Sequence, residues 1–193
     1  MRYIRKTLKT DNLILRRPYL TDADELFVCT SNPNVTKYEG WRKHNSPMET
    51  LNFINSLMEC MELKCCNDYV IVEKKSDRAI GIINLHDIDY SKDEGYIGYW
   101  LAEDCWHNGY ATEAIGTFIK HMTKTCKYKK IFALCHPMNV YSAKALLKNG
   151  FEKNGTKPCS DFLKREDETY TETADLYVFT PKCDLLHKIF KKK

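Results

Sequence analysis

The sequence lacks an apolar run long enough to cross a bilayer, although hydrophobic residues make up 43% of its 193 positions, so we expect no membrane-spanning helix and no membrane partner. Its first residues, 1–18, are basic but contain neither an apolar core nor a small-residue cleavage site, which predicts a cytoplasmic protein without a secretion signal. The net charge of +4 is small and there is no focused basic face, so we expect no nucleic-acid partner.

Metal-site and disulfide spacings are also missing. The 9 cysteines form no CxxC pair, and Cys65 and Cys66 are adjacent, which suits neither a zinc site nor a disulfide framework. The histidines are scattered, and none pairs with a cysteine at a ligand-like spacing. We therefore predict no metal and expect reduced, mostly buried cysteines. Nothing in the spacing supports a catalytic cysteine.

Repeats are absent, and the chain alternates between strand-like and helix-like patterns. We predict a β-α-α opening, an antiparallel meander of three strands with short turns, and then β-α-β-α-β. This order predicts an α+β (α/β) fold, with a mixed, mostly antiparallel sheet of about seven strands flanked by about four helices. We expect a single domain over residues 1–181, followed by a basic C-terminal tail over 182–193.

Local patterns fix some of these elements. Ser46 precedes Pro47 and stands three residues before Glu49, a capping box that predicts the start of a helix. Thr21 is expected to be the N-cap of an earlier helix, which begins directly after it. The run 131–135 is fully apolar, which predicts a central strand buried on both faces.

The segment most informative about chemistry runs from 99 to 114. A strand leads into a short polar loop that contains Gly109, and a helix begins at once. Such a turn leaves backbone N–H groups pointing outward at the positive end of a helix dipole, where a pyrophosphate can bind. By itself the pattern is weak, because a helix entered through Asn-Gly is more often only a turn.

A second segment, 136–151, places Asn139 between an apolar strand and a helix. Asn139 is either an N-cap, which asparagine favours for local reasons, or a side chain that presents its amide to a ligand at the strand end. Ser142, one turn further on, either satisfies backbone groups or offers its hydroxyl to a reacting group. The residues alone leave both alternatives open for each side chain.

In this order, the segments 97–101, 106–114 and 139–151 resemble the cofactor motifs of the GNAT superfamily of N-acetyltransferases, and most closely those of the RimJ/RimL group, which acetylates protein N-termini. Residues 13–24 are similar to the family's opening. The likeness covers most of residues 11–179, and its motifs are collinear. It implies an acyltransferase with acetyl-CoA as co-substrate and no metal.

The resemblance also implies roles for individual residues. The CoA diphosphate would sit on backbone amides of the loop, and the pantetheine arm would pair with the splayed end of the preceding strand. Asn139 would bond the pantetheine or the thioester, and Ser142 would be a catalytic residue near the leaving sulfur. The implied cofactor-binding residues are Trp100, Leu101, Ala102, Trp106, His107, Asn108, Gly109, Tyr110, Ala111, Thr112, Asn139 and Ser142.

Some positions depart from the family's pattern. Trp106 stands where the superfamily usually has Arg or Gln, although the Rim-like group tolerates Trp there, and Tyr96 stands where many relatives have a glutamate. Leu146 replaces a tyrosine that protonates the thiolate in many relatives. That role falls to Ser142, to water or to no group, since a thiol with a pKa of about 8.5 leaves readily.

The general base and the acceptor pocket are less sharply indicated. Glu94 is the predicted catalytic base, although a solvated turn residue is the plainer interpretation. Acidic residues between 166 and 175 form either a solvated loop or a surface that attracts a cationic amine. The aromatic residues that could line an acceptor pocket, or simply belong to the core, are Tyr38, Trp41, Phe53 and Tyr96.

The predicted function is transfer of an acetyl group from acetyl-CoA to a primary amine by direct attack within a ternary complex. As the resemblance implies, the preferred acceptor is the N-terminal α-amine of a protein or peptide, of the ribosomal-protein type. A small amine, such as a polyamine or an aminoglycoside, is an alternative acceptor. A non-catalytic acyl-CoA-binding module is a further alternative because of Leu146. We expect a monomer or a homodimer.

Overall fold

A computed structural model of the protein describes residues 5–63, 66–158 and 173–181. Within these ranges eight strands form one sheet in the order β1-β2-β3-β4-β5-β6-β8-β7. The strands are β1 (Thr7–Lys9), β2 (Leu13–Arg16), β3 (Asn67–Glu73), β4 (Arg78–Asp89), β5 (Glu94–Leu101), β6 (Lys130–Cys135), β7 (Glu152–Pro158) and β8 (Thr173–Phe179). The helices are α1 (Ala23–Thr30), α2 (Pro33–Thr36), α3 (Pro47–Glu62), α4 (Tyr110–Lys124) and α5 (Val140–Lys148).

The predicted fold class, a mixed and mostly antiparallel sheet flanked by helices, is confirmed. β1 and α2 were not predicted from the sequence. β1 has three residues, of which only Leu8 is buried, and α2 has four residues, so neither is long enough to show a periodic pattern. The predicted tail, 182–193, and most of the acidic stretch lie outside the described residues.

The sheet is split between β5 and β6. β3, β4 and β5 form the predicted antiparallel meander. β5 runs parallel to β6, but the ladder between them contains only the pairs from Glu94 to Tyr96. From 97 to 101, β5 still pairs with β4, whereas β6 continues to pair with β8. The two strands therefore part, and we call the opening between their C-terminal halves the split.

Helices cover both faces of the meander. Tyr69 and Tyr99 share one face, as the strand register requires. Phe118 of α4 packs against Tyr69 with ring centroids 5.8 Å apart, so α4 covers this face. Trp100 lies on the opposite face, where Trp41, between α2 and α3, packs at 5.9 Å. The split therefore separates two environments, one beside α4 and α5 and one beside the segment that joins α2 to α3.

The helix starts agree only in part with the sequence analysis. The Ser46 hydroxyl accepts the N–H of Glu49 at 3.4 Å, which confirms the predicted cap of α3. The predicted cap at Thr21 is wrong. Thr21 lies in a 3-10 turn, and α1 follows Asp22, which makes no side-chain cap. The Asp22 carboxylate is instead held by the Arg16 guanidinium at 2.6 and 2.9 Å.

β6 is central in the sheet, as predicted, but it is buried on one face only. Ile131 and Ala133 are buried, while Phe132 and Leu134 are partly exposed on the other face. The prediction of burial on both faces is therefore wrong. Leu134, on the more exposed face, borders the cavity described below.

Five cysteines of the described ranges are buried free thiols: Cys29, Cys66, Cys105, Cys126 and Cys135. Burial raises the pKa of the Cys29 thiol to about 12 and that of Cys135 to about 11, which keeps both protonated and poorly nucleophilic. Cys60, by contrast, is disulfide-bonded. The expectation of reduced cysteines is wrong for this residue. Among the described residues, no helix combines the length and apolar character needed to traverse a membrane.

His121 makes a pH-dependent contribution to stability. Its ring is buried on α4, and Nε2 accepts the N–H of Arg5 at 3.2 Å, so the folded protein holds the neutral imidazole. Burial, aided by the charge of Arg5, lowers the pKa of His121 below 6.5. The unfolded chain therefore binds the proton more readily. The stabilising contribution is complete above pH about 6.5 and is lost as the pH falls toward the folded-state pKa.

We expect the free energy of unfolding of the wild type to fall more between pH 7.5 and pH 5.5 than that of His121→Gln. Urea denaturation at the two pH values measures the difference. An equal change in the free energy of unfolding for the two proteins would contradict a lowered pKa of His121 in the folded state.

Candidate active site

The split exposes the backbone edge of β5. The N–H of Ala102 donates to the carbonyl of Ile80 at 2.7 Å, on the β4 side. Successive residues of a strand direct their backbone groups to opposite sides, so the N–H of Leu101 faces the split. The splayed strand end that the resemblance implied is thus present in the fold.

The loop after β5 is shaped by two left-handed residues, His107 with φ +64° and Gly109 with φ +80°. Turns of this kind direct nearby N–H groups into one concavity. Gly109 is the N-cap of α4, and no side chain caps this helix within the described structure. The first N–H groups of α4 are therefore available at the positive end of its dipole, as the sequence predicted.

Side chains hold this loop in place. The Trp106 indole N–H donates to the carbonyl of Leu101 at 2.9 Å, so Trp106 anchors the loop to the end of β5. Asn108 Nδ2 donates to the carbonyl of Cys105 at 3.3 Å. The His107 ring packs edge-on against Tyr141 with centroids 4.8 Å apart, which joins the loop to α5. These side-chain contacts hold the loop against the end of β5 and against α5.

The start of α4 is tied to the sheet. The Tyr110 hydroxyl donates to Glu73 Oε1 at 2.8 Å. Glu113 accepts the backbone N–H and the side-chain amide of Asn12 at 2.8 and 2.9 Å, so it joins α4 to the turn between β1 and β2. These bonds fix the position of the helix terminus relative to β5.

Asn139 and Ser142 lie on the α4–α5 side of the sheet, near the split. Asn139 Oδ1 accepts the N–H of Ser142 at 3.1 Å, so Asn139 is the N-cap of α5. The Ser142 hydroxyl lies 2.7 Å from the Tyr99 hydroxyl, which also donates to the Ser142 carbonyl at 3.2 Å. Burial raises the pKa of Tyr99, so the phenol stays protonated and continues to act as a donor.

Tyr99 was not predicted to lie beside Ser142. Leu146, which stands at the family's tyrosine position, is 1% exposed and belongs to the core. Tyr99 brings a phenol to Ser142 from β5 instead. The alternation of side chains along β5 determines the face of the sheet on which Tyr99 lies. Its contact with Ser142, 43 residues away in sequence, follows only from the packing of α5.

A cavity of about 120 Å³ lies at the split, on the face opposite Ser142. Gly98 of β5 and Leu134 of β6 border it from the two sides of the split, and Tyr38 and Glu39 border it from the segment between α2 and α3. His86, Tyr96 and His136 complete its polar lining. The arrangement brings a carboxylate, two imidazoles and two phenols together at an opening in the sheet.

Two of the four aromatic residues proposed for an acceptor pocket border the cavity, and two do not. Tyr38 and Tyr96 border the cavity. Trp41 and Phe53 instead stack on each other with centroids 6.4 Å apart, beside the core. The Lys157 ammonium lies over the Tyr96 ring, 4.8 Å from its centroid, and donates a hydrogen bond to the Tyr96 hydroxyl.

Glu94 lies at the beginning of β5, four residues before Gly98, which corresponds to about 13 Å of strand. Its carboxylate pairs with Lys130 at 3.5 Å, and it does not line the cavity. A catalytic role for Glu94 stays a prediction. Over the described ranges, no three His, Cys, Asp or Glu side chains gather closely enough to hold a metal ion.

Comparison with known proteins gives a consistent picture. The family model described as an acetyltransferase (GNAT) domain matches residues 12–152. The chain is 30% identical over 148 residues to YoaA of Bacillus subtilis, an uncharacterised N-acetyltransferase, with 77% of this chain and 84% of YoaA covered. It is 29% identical over 89 residues to the ribosomal-protein-serine acetyltransferase of Escherichia coli, covering 46% of this chain and 50% of that protein.

Among solved structures, RimL, a ribosomal L7/L12 α-N-protein acetyltransferase in complex with coenzyme A, superimposes with a TM-score of 0.77 at 16% identity. The match covers 90% of this chain and 97% of RimL. At this identity the likeness concerns the fold.

Proposed function

Because the chain belongs to the acetyltransferase (GNAT) family and is therefore an acetyl-CoA-dependent acetyltransferase, we propose that its preferred acceptor is the N-terminal α-amine of a protein or peptide. The observation that carries the proposal is the split. A loop suited to a diphosphate lies on one of its faces, and a small cavity with a carboxylate lies on the other. An amine in the cavity can reach a thioester held on the opposite face through the opening.

In this proposal the cofactor follows the exposed edge of β5. The diphosphate binds the backbone amides of residues 107–112. The pantetheine arm pairs with residues 100–102, whose edge faces the split. Asn139 donates its side-chain amide to the arm, since its Oδ1 is already occupied by the N–H of Ser142.

The reaction is direct. The amine nitrogen attacks the thioester carbonyl, and the N–H of Leu101 stabilises the charge that develops on the oxygen. The C–S bond then breaks, and the electron pair leaves with the sulfur. Ser142, oriented by Tyr99, donates a hydrogen bond to the departing thiolate. Holding the two substrates on opposite faces of one opening supplies much of the rate through positioning.

The size of the cavity favours a chain terminus over a large small-molecule acceptor. Pockets for small molecules usually enclose about 300–1,000 Å³, whereas this cavity encloses about 120 Å³. The first residue of a peptide needs less room than an aminoglycoside. The similarity to the ribosomal-protein-serine acetyltransferase points in the same direction.

The proposal is tested by thiol release from acetyl-CoA with three classes of acceptor: peptides with free N-termini, polyamines and aminoglycosides. We expect the highest kcat/KM with a peptide, and mass spectrometry should locate the acetyl group on its first residue. Faster turnover of a polyamine or an aminoglycoside would identify the acceptor as a small amine. Absence of thiol release with every class would favour the non-catalytic binding module.

The loop glycine offers a sharp test of the proposed diphosphate site. We expect Gly109→Val to weaken acetyl-CoA binding tenfold or more, about 1.4 kcal/mol. A side chain at Gly109 meets nothing within 4 Å in the protein, so the loss would come from strain at φ +80° and from a blocked approach of the ligand.

Gly155→Val is the matched control, because Gly155 has φ +82°, equally open surroundings and a position in β7. Titration calorimetry should show wild-type affinity for this variant. Equal affinities for both variants would refute the loop assignment.

Asn139 should matter more than Ser142. We expect Asn139→Ala to lose about 1 kcal/mol of stability with the helix cap and also to bind acetyl-CoA less tightly. Ser142→Ala should lower kcat less than tenfold, because the thiolate is a good leaving group. Ser56→Ala, which removes an exposed hydroxyl on α3, is the control. Complete loss of activity in a folded Ser142→Ala that still binds acetyl-CoA would show that the serine is an essential proton donor.

A further inference from the structure

His86 and Asp87 form a pair that the sequence pattern conceals. Neighbouring residues of a regular strand point to opposite faces. The register of β4 shifts between His86 and Asp89, and Asp87 takes a left-handed φ of +46°. This irregularity turns the Asp87 carboxylate back, so that Oδ2 lies 2.9 Å from His86 Nδ1. Irregularities of this kind commonly re-aim side chains beside active sites.

The contact sets the tautomer of His86. Nδ1 faces a carboxylate and therefore carries the proton, which leaves the lone pair of the neutral ring on Nε2. The ring stacks on Tyr96 with centroids 6.1 Å apart. Its Nε2 edge lies over Gly98, where an added side-chain atom would be 3.5 Å from Nε2. All three residues border the cavity at the split.

We propose that His86 is the general base of the acetyl transfer and that Asp87 is a positioning residue that orients its ring. The proposal rests on the proposed function, since it needs an amine in the cavity. Nε2 takes one proton from the acceptor ammonium and passes it to solvent. The neutral amine forms the C–N bond as the C–S bond breaks, and the second proton lost by the nitrogen ends on the thiol of CoA.

The other candidates fit this role less well. His136 Nδ1 accepts the N–H of Met138 at 3.1 Å, so its neutral ring carries the proton on Nε2 and can only donate there. Glu94 pairs with Lys130 away from the cavity. Glu39 borders the cavity and supplies the negative charge that attracts an ammonium.

Several charged or titratable groups surround His86. They are Asp87 on its own strand, Asp68 of β3, Tyr96 of β5 with Lys157 of β7 upon it, and Glu39 from the covering segment. Since these groups remain in a variant of His86 alone, comparison with the wild type isolates the contribution of the imidazole.

The test measures kcat with the best acceptor peptide from pH 6 to pH 9. We expect His86→Gln to lower kcat at least tenfold at pH 7, with unchanged affinity for acetyl-CoA. The deficit should shrink toward pH 9, where an α-amine with a pKa of about 8 is already mostly neutral. Asp87→Asn should lower kcat by a smaller factor, and free imidazole should restore part of the activity of His86→Ala.

His44→Gln is the control, because His44 bonds Thr50 outside the cavity. A His86→Gln enzyme within twofold of wild type, or a deficit that is equal at every pH and is not relieved by imidazole, would overturn the proposal. So would a deficit at low pH confined to Glu94→Gln or Glu39→Gln. If the wild type itself acetylates no amine, the proposed function fails rather than the choice of base.

Discussion

The Gly81→Ala variant is expected to lose about 3 kcal/mol of its free energy of unfolding and to bind acetyl-CoA at least tenfold more weakly. A Cβ at Gly81 would overlap the carbonyl oxygen of Trp100 and lie 3.0 Å from the Cα of Leu101. Backbone atoms cannot rotate away as a side chain can, so β4 and β5 must move apart. The displaced part of β5 is the edge proposed to hold the pantetheine arm.

Urea denaturation and titration calorimetry measure the two effects. Gly155→Ala is the control: its left-handed φ costs about 1 kcal/mol, but its surroundings are open and it lies in β7. If Gly81→Ala were as stable as the wild type, β4 and β5 could move apart without a loss of stability, and the expected clash would be wrong. Reduced stability with unchanged affinity would separate this edge of β5 from cofactor binding.

The second large effect concerns the acceptor. We expect a peptide with a free N-terminus and blocked lysines to be acetylated roughly 100-fold faster at pH 7 than its twin with a blocked N-terminus and a free lysine. The pKa of an α-amine is about 8 and that of a lysine side chain about 10.4, a difference worth about 3 kcal/mol in the fraction of neutral amine.

The ratio of the two acetylation rates should fall as the pH rises, because the lysine then loses its proton as well. Rates for the two peptides at pH 7 and pH 9 test this. Equal or faster turnover of the lysine peptide at pH 7 would reject the α-amine assignment. It would also mean that the cavity itself removes the proton from a lysine, for example by desolvation.

Features encoded within a few residues could be predicted from the sequence. The cap at Ser46 and the short loop with Gly109 that leads into α4 depend on local backbone geometry, so their residue types identify them. The apolar stripe of α4 repeats at helical spacing and is buried, as expected.

Features that depend on how distant elements meet could not be predicted. The residue types of β5 are typical of a strand from Glu94 to Leu101. They do not change after Tyr96, where the pairing with β6 ends. The apolar run of β6 suggested burial on both faces. The cavity beside Leu134 is formed with residues distant in sequence, so the run itself gives no sign of it. Tyr99 and Ser142 meet only through the packing of α5.

The contact between His86 and Asp87 could not be predicted either, for a different reason. Strict alternation along a strand places adjacent residues on opposite faces. Only the irregularity after His86 brings the two side chains together. A single sequence carries no clear signal for such an irregularity, since Asp87 is not a glycine.

The opening between β5 and β6 also bears on the lifetime of the protein. In the proposed complex, the pantetheine arm hydrogen-bonds along the edge of β5 and takes the place of a missing strand. Ligand at about a hundred times its Kd adds about 2.7 kcal/mol to the stability of a folded protein. By the same proposal, CoA and acetyl-CoA both stabilise the folded protein, because both carry the diphosphate and the pantetheine arm. The protein is then most open to proteolysis while neither is bound, so we expect depletion of both ligands to shorten its lifetime.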